Sequence, residues 1–184
     1  MSHELERLKM KNSKNALVAL LAVLAAGAVG AQSMSMDSGY YGEVGYLALK
    51  FNDDQGGTTT PKLARLIVGK DLHKNLSFEG MYANTVNKDS DNLGISYKGA
   101  TYGAYLKPKT EVASGTDVFA RVGVAKTTLS RNDGAELSSS KLAYGLGAQT
   151  QFTKDVYGQV DYMNYGKQDG ITAKGFTVSV GTHF

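Results

Sequence analysis

Residues 175–184, at the end of the chain, alternate between apolar side chains and small or polar ones. The apolar register holds Phe176, Val178, Val180 and Phe184. Successive side chains of a β-strand point to opposite faces, so this period of two predicts a strand with one apolar and one polar face. Such a strand suits both a soluble sandwich and a closed barrel, and other parts of the chain must distinguish the two.

Seven further segments show the same alternation. Each expected strand has roughly 10 to 14 residues, which exceeds the ~5 to 6 residues usual in soluble sheets and suits a tilted membrane crossing. We expect Pro61 to precede the second strand and Pro108 to end the fourth, because proline donates no N–H to a ladder. An even number of strands brings both ends of the domain to one side of a membrane. The eight segments lie at about 40–51, 62–72, 76–85, 93–107, 117–129, 139–152, 156–165 and 175–184.

A long apolar run, residues 16–29, stands near the start of the chain between a basic stretch and small residues. This order predicts a cleavable secretory signal peptide over residues 1–31, ahead of a mature domain over 32–184. The alternative is a buried helix of the mature fold. Residues 1–9 carry charges of both signs, which is unusual before such a run, so we expect the true start to be Met10. No later window holds the ~18 consecutive apolar residues that a spanning helix needs.

Composition removes several classes of function. The chain has no cysteine, which excludes a disulfide framework, a thiol nucleophile and a lipid-modified cysteine. Removing residues 1–31 takes away four basic and two acidic side chains, so the formal charge falls from +3 to +1. The basic composition therefore gives no reason to expect a nucleic acid partner.

The polar faces of the expected strands separate a barrel from a sandwich. In a soluble sandwich these faces would be rich in Lys, Glu, Thr and Ser, whereas here glycines occupy their middle positions. Large aromatic residues are interleaved with the glycines, which predicts a narrow interior filled by side chains, as in an eight-stranded barrel. The glycines are Gly45, Gly69, Gly99, Gly103, Gly123, Gly145, Gly147 and Gly181, and the aromatic residues are Tyr41, Tyr105, Phe119 and Tyr157.

Five charged residues share the polar face. They are Glu43, Arg65, Glu79, Arg121 and Asp161. Buried charges need partners, so we predict a network inside the barrel in which two guanidinium groups bridge three carboxylates. The middle of the apolar face carries no charge, which agrees with a lipid-facing surface, where Lys or Arg would cost roughly 2 to 4 kcal/mol.

With these residues in view, the chain resembles the small eight-stranded outer-membrane β-barrels, the family of the OmpA transmembrane domain and of porin-like proteins. The segments LARLIVGKDL, NLSFEGMYA, DVFARVGVAKT and VSVGTHF carry the resemblance, which extends over essentially the whole mature chain. It implies an all-β, antiparallel up-and-down transmembrane barrel in the bacterial outer membrane, expected as a monomer. It also implies that the barrel assembly machinery reads the terminal strand as an assembly signal through Phe176, Val178, Val180 and Phe184.

This fold hosts structural proteins, adhesins, ligand carriers and a few enzymes, so function has to be argued from the residues. We expect a structural protein that contributes to envelope integrity and has a filled lumen. The alternatives are a small porin-like channel and a surface adhesin or ligand-binding barrel. Loops of about five to ten residues disfavour a protruding adhesive platform, and bulky lumen side chains disfavour a continuous water path.

Catalysis, metals and cofactors are not expected. A hydrolase would need a Ser/His/acid set or paired acids at the outer rim, and none of the histidines is expected there. They are His3, His73 and His183. The loop acids Asp53 with Asp54, and Asp89 with Asp91, have the oxygen ligands that Ca²⁺ prefers. A solvated acidic loop is the simpler interpretation, so we assign no metal.

Six lysines lie near the expected extracellular strand ends, on the register that we assign to the lipid-facing side. They are Lys50, Lys62, Lys98, Lys126, Lys141 and Lys174. Lysines at strand ends also extend to water, and this alone would account for about half of them. The opposite strand ends of that register carry apolar residues, however, and a belt of ammonium groups would face the phosphates of lipopolysaccharide. We therefore expect outer-membrane lipid and lipopolysaccharide as partners.

Overall fold

The computed structural model describes residues 39–54, 56–90 and 95–184, so the expected signal peptide lies outside the described residues. Eight long strands cover most of the described chain. They are β1 (Tyr40–Asp53), β2 (Lys62–His73), β3 (Leu76–Asn87), β4 (Ser96–Ala113), β5 (Thr116–Arg131), β6 (Glu136–Gln151), β7 (Val156–Gln168) and β8 (Ile171–His183). Two strands of two residues, Thr58–Thr59 and Asp89–Ser90, pair with β1 and β4.

The sheet closes on itself. Each long strand pairs antiparallel with the next one, and β8 pairs with β1 from His183 opposite Tyr41 to Ile171 opposite Asp53. The predicted all-β, eight-stranded, up-and-down barrel is therefore confirmed. Between residues 39 and 184, as far as they are described, no helix is long and apolar enough to cross a membrane.

The barrel has two ends, which we call the turn end and the loop end. The turn end carries the start of β1, the end of β8 and the three connections 74–75, 114–115 and 152–155. The loop end carries the four connections 54–61, 88–95, 132–135 and 169–170. The turn after β4 needs Gly115, whose φ of 71° lies in the left-handed region that glycine adopts without strain.

The outward face is an apolar belt. Large apolar side chains stand exposed on it around the barrel, up to 70 % for Leu146. Soluble monomers rarely expose so large a continuous apolar surface, whereas a membrane barrel presents it to lipid. Belt residues include Tyr46, Leu66, Val68, Phe78, Tyr82, Tyr102, Leu106, Val124, Leu142, Tyr144, Tyr162, Phe176 and Val178.

The fourth strand differs most from the sequence-based expectation. Pro108 was expected to end it, yet β4 continues to Ala113. Pro108 lies opposite Leu76 of β3, while the ladder to β5 omits positions 107–108 and resumes at Lys109 in the same register. The missing N–H of proline thus falls at a local gap in one ladder, and the strand is not terminated.

Three rings in the lumen lie against glycines of the neighbouring strand. Tyr41 is directly opposite Gly69, Tyr157 is opposite Gly181, and Phe119 is opposite Gly147. A Cβ atom added to any of these glycines would overlap ring atoms of its partner. The alternation of glycine and aromatic residues on the polar face therefore fills the barrel by cross-strand pairing.

The interior is divided into two layers along the barrel axis. The half next to the turn end holds the charged residues and the three rings. The half next to the loop end holds an apolar layer, which the sequence interpretation did not anticipate. Its members include Leu47, Leu49, Phe51, Leu63, Leu129, Met163, Tyr165 and Ala173, all buried.

Candidate functional site: the charged layer of the lumen

The structure brings together the five charged residues of the polar face. They project from β1, β2, β3, β5 and β7, and each is at most 3 % exposed. Alternation alone accounts for this convergence, because every second side chain of a barrel strand points inward. These five residues, with the lysine described below, are called the charged layer.

Arg65 joins two carboxylates. Its Nη1 and Nη2 atoms donate to Asp161 Oδ1 and Oδ2 at 2.8 and 2.5 Å, a bidentate pair. Nη2 also lies 2.8 Å from Glu43 Oε1, which accepts a second hydrogen bond from Ser179 Oγ at 2.8 Å. Bidentate guanidinium–carboxylate pairs are among the stronger hydrogen-bonded contacts in proteins, so this half of the layer is held in one geometry.

Arg121 forms the other half of the layer. Its Nε donates to Glu79 Oε2 at 2.5 Å and its Nη2 to Glu79 Oε1 at 3.2 Å. Its Nη1 lies 3.3 Å from Asp161 Oδ2. Because Asp161 contacts both Arg65 and Arg121, the two halves form one continuous network.

The sequence interpretation missed a third cation, Lys107. Its Nζ lies 3.3 Å from Glu79 Oε1 and donates to Gln149 and Gln159 at 2.9 and 2.8 Å. It is also 4.4 Å from the centre of the Phe119 ring. Lys107 is the last residue of the expected fourth strand and shares the register of Tyr105, which was assigned to the polar face, but it was not included in the predicted network. With Lys107 the charged layer has three cations and three carboxylates and is formally neutral.

An aromatic cluster closes the barrel below the charged layer, at the turn end. The ring centroids of Tyr41 and Tyr157 are 6.3 Å apart, and His183 lies 5.5 and 5.2 Å from them. Tyr41 Oη donates to Glu79 Oε1 at 2.8 Å, which joins the cluster to the charged layer. Charge and aromatic rings thus fill the same half of the lumen.

The side chains near His183 do not form a hydrolytic site. Its Nε2 atom lies 3.9 Å from Asp71 Oδ2, and Asp71 Oδ1 accepts hydrogen bonds from Ser77 Oγ at 2.6 Å and Lys109 Nζ at 2.8 Å. In a catalytic triad the histidine bridges serine and acid, whereas here the acid contacts the serine directly. The described residues also hold no group of three or more His, Cys, Asp or Glu suited to a metal.

The lysines of the predicted belt lie at the loop end, with one correction. Lys50, Lys62, Lys98, Lys126 and Lys174 project from the outward face. Lys50 is directly opposite Lys174 in the β1–β8 ladder. Lys141, however, pairs with the buried lumen residue Ala125, so its assignment to the lipid-facing register was wrong.

Among the residues of the proposed assembly signal, Phe176 and Val178 are half-exposed on the outward face of β8. Val180 continues this face and pairs with Val44 of β1. Phe184 follows β8 directly. The reading of this strand by an assembly machinery stays a prediction.

Several solved structures are similar to this barrel. The attachment invasion locus protein Ail of Yersinia pestis is 18 % identical with a TM-score of 0.61, and the match covers 80 % of this chain and 99 % of Ail. Neisserial surface protein A is 18 % identical with a TM-score of 0.63, covering 80 % and 98 %. OprG of Pseudomonas aeruginosa is 11 % identical with a TM-score of 0.54, covering 80 % and 96 %. At these identities the likeness shows the fold alone.

No curated protein matches the sequence. The family model of the outer membrane protein beta-barrel domain matches residues 19–184, which include every strand of the barrel. The apolar outward belt, the closed antiparallel ladder and the filled lumen agree with that match. The chain belongs to the outer membrane protein β-barrel family and is a small eight-stranded barrel of the bacterial outer membrane.

Proposed function

We propose that this protein is a structural barrel of the outer membrane, which strengthens the envelope by contacts with lipopolysaccharide and does not conduct. The observation that carries the proposal is the buried, formally neutral charged layer across the lumen. Its two arginines and its lysine are each paired with a carboxylate.

A conducting lumen would require these pairs to separate. Removing one partner of a buried ion pair typically costs about 3 to 5 kcal/mol, because the other charge stays buried without compensation. An eight-stranded barrel is also only wide enough for its own side chains. The aromatic cluster adds a second obstruction at the turn end. These facts favour a structural role over the porin-like alternative.

The lipopolysaccharide contact is supported by the outward lysines. Short turns face the periplasm in this class of barrel, so the loop end lies on the extracellular side of the membrane. Among the described residues, the lysines that form ion pairs are Lys107, Lys109 and Lys167, and none of them belongs to the five outward lysines. Like charges directly opposite in a sheet destabilise it, so Lys50 and Lys174 together favour a bound anion. Lipopolysaccharide phosphates supply such anions, and catalysis forms no part of this role.

The loop connections support a structural role over an adhesive one. Four residues join β5 to β6 and two join β7 to β8, at 132–135 and 169–170. Connections of this length offer little surface for a protein partner. The likeness to Ail, an attachment protein by name, rests on the barrel, so attachment remains the weaker candidate for this chain.

The test compares thermal unfolding in bilayers with lipopolysaccharide and in zwitterionic bilayers of equal chain length. A Lys50→Gln, Lys62→Gln, Lys174→Gln variant should lose most of the lipopolysaccharide-specific gain, and salt should reduce the gain of wild type because exposed charges are screened. The matched control removes three lysines at the turn end, with Lys70→Gln, Lys74→Gln and Lys154→Gln, and should keep the gain. Equal gains in both variants would refute the contact.

A further inference from the structure

The described barrel wall is interrupted at the loop end between β6 and β7. Their ladder runs from Gln151 opposite Tyr157 to Tyr144 opposite Asn164 and stops there. β6 nevertheless continues to Glu136, fully paired with β5 on its other edge, and β7 continues to Gln168. We call the unpaired stretch, residues 136–143 of β6 facing 165–168 of β7, the seam.

Side chains at the end of the seam nearest the turn end show that the fold itself produces the seam. The N–H of Gly166 donates to Asn164 Oδ1 at 2.8 Å, a side-chain partner in place of a β6 carbonyl. Asn164 Nδ2 in turn donates to Tyr144 Oη at 3.3 Å. Gly166 has a φ of 100°, a conformation that side chains with a Cβ rarely adopt. The β7 backbone is therefore irregular at the point where its ladder to β6 ends.

Lys141 covers the seam. A Cβ on Gly166 would lie 2.6 Å from Lys141 Cβ and 2.9 Å from Lys141 Cγ, so the aliphatic stem of the lysine packs where a side chain of β7 would be. A flexible stem is displaced more easily than a row of backbone hydrogen bonds. The contact across the gap is therefore a movable one.

The tip of the β7–β8 hairpin is bound to β1 on the side away from β6. Lys167 Nζ lies 2.8 and 2.7 Å from the two oxygens of Asp54, and the Asp54 N–H donates to Gly170 O at 3.1 Å. Both side chains are more than half exposed, at 53 % and 59 %. Exposed ion pairs contribute little to stability, so the tip is held chiefly by the β1–β8 ladder, which runs to Ile171 opposite Asp53.

An apolar space lies behind the seam. A cavity of about 30 Å³ is lined by apolar side chains of the loop-end layer and by Ser139 and Thr127, with Gly166 and Lys167 at its edge. The apolar lining residues are Phe51, Leu129, Leu137, Tyr165, Ile171 and Ala173. Ser139 Oγ is buried and has no hydrogen-bond partner among the described residues. Toward the turn end the charged layer closes this space.

We propose that the seam is the entrance of a binding site for a single-chain anionic amphiphile, such as a fatty carboxylate, taken up from the membrane. The tail displaces the Lys141 stem and enters the apolar layer. The head group pairs with Lys141 Nζ and accepts a hydrogen bond from Ser139 Oγ, the polar atom that lacks a partner.

Three features of the seam select this ligand class. The end of the seam nearest the turn end lies in the apolar belt, since Leu142 and Tyr144 beside it are 61 % and 53 % exposed. Residues 141–143 span about 10 Å along the strand, which is room for one chain and not several. The cavity itself has room for about one water molecule, so the tail has to displace the Lys141 stem and the apolar side chains that line the cavity.

The test uses the full barrel in zwitterionic bilayers with dansyl-labelled undecanoate and the uncharged methyl ester of the same probe. Wild type should bind the carboxylate saturably with one probe per barrel. Lys141→Gln should weaken carboxylate binding about tenfold, the size of a lost charge-assisted hydrogen bond, and leave ester binding unchanged. Lys98→Gln is the matched control, because this outward loop-end lysine stands away from the seam, and it should bind like wild type.

A second variant tests the entrance itself. Since the chain has no cysteine, the pair Ala143→Cys and Tyr165→Cys can be cross-linked across the seam in a folded barrel. The reduced double variant, and not wild type, is the reference, because Tyr165 lines the cavity. The oxidised form should bind both probes much more weakly than this reference. Equal binding by both redox forms, or equal losses in Lys141→Gln and Lys98→Gln, would overturn the proposal in favour of adsorption at the surface. These readouts involve no lipopolysaccharide, so they are independent of the proposed structural role.

Discussion

Lys107 and Glu79 form a buried ion pair across the β3–β4 boundary, with Nζ 3.3 Å from Oε1, both side chains being at most 2 % exposed. The same carboxylate receives Arg121 and the hydroxyl of Tyr41. Glu79 therefore connects the charged layer to the aromatic cluster. Replacing this carboxylate should therefore disturb both the charged layer and the aromatic cluster.

The first prediction concerns the stability of the charged layer. Arg121→Ala should lower the free energy of unfolding by about 3 to 5 kcal/mol, because Glu79 and Asp161 keep their buried charges with weakened compensation. Chemical denaturation in lipid measures this directly. Arg131→Ala is the control, since Arg131 pairs with Asp133 at an exposed site and should change stability by less than about 1 kcal/mol. An unchanged denaturation midpoint in Arg121→Ala would mean that water solvates the charged layer and that its ion pairs do not stabilise the barrel.

The second prediction concerns glycine as a packing partner. Gly69→Ala should destabilise the barrel by roughly 1 to 3 kcal/mol, because the added methyl overlaps the Tyr41 ring and forces it to shift. Gly80→Ala is the matched control on the next strand. A Cβ there comes no closer than 4.0 Å, to Val68 O, so stability should stay within about 0.5 kcal/mol of wild type. Similar losses of stability in both variants would show that the added methyl group acts through the strand and not through the Tyr41 ring.

The third prediction concerns conductance. Wild type in planar bilayers should show no steady current, because the charged layer and the aromatic cluster fill the lumen. Arg65→Ser combined with Arg121→Ser should produce cation-selective currents, since three carboxylates then line a wider passage with Lys107 as their only cation in the charged layer. The control Arg131→Ser, at the exposed site, should show no steady current. Steady currents in wild type would support the porin-like alternative.

The fourth prediction concerns folding and assembly. The unboiled protein should migrate faster than the boiled protein in SDS gels, because a closed ladder resists the detergent until it is heated. Phe184→Ser should reduce the amount of barrel assembled in cells, while barrel that has formed unfolds at the wild-type temperature. A conservative control is Phe184→Tyr, with wild-type yield. Equal yields for wild type, Phe184→Ser and Phe184→Tyr would show that the terminal aromatic ring is not recognised during assembly.

Period-two alternation predicted the strands and their inward and outward positions, and the glycines and aromatic residues of the polar faces then distinguished a barrel from a sandwich. It also located all five charged residues of the polar face. Lys107 was missed although parity assigns it to the inward face. It stood at the expected end of the fourth strand, whereas β4 continues past Pro108. Lys141 was misplaced by one residue of register, which moves a side chain to the other face.

The apolar layer and the seam could not be predicted in this way. Leu47, Leu49 and Phe51 share the inward register with Glu43, so parity places them inside but does not predict separate polar and apolar layers along the axis. The seam depends on a hydrogen bond between Asn164 and Gly166 and on a positive φ at Gly166. These are properties of the three-dimensional backbone that no residue pattern specifies.

The pairs of rings and glycines also bear on how the strands find their partners. Shifting β1 against β2 by one residue would place the Tyr41 ring on the opposite face from Gly69, and shifting it by two would drive the ring into Ile67 or Asp71. Tyr157 behaves in the same way, because a shift by two would bring it opposite Ser179 or His183 in place of Gly181. Phe119 is less selective, because Gly145 lies two residues from its partner Gly147. The Tyr41 and Tyr157 rings thus favour the observed alignment over its nearest alternatives. Misaligned β1–β2 and β7–β8 hairpins would clash inside the barrel, so the interior packing also selects the register in which these strands pair.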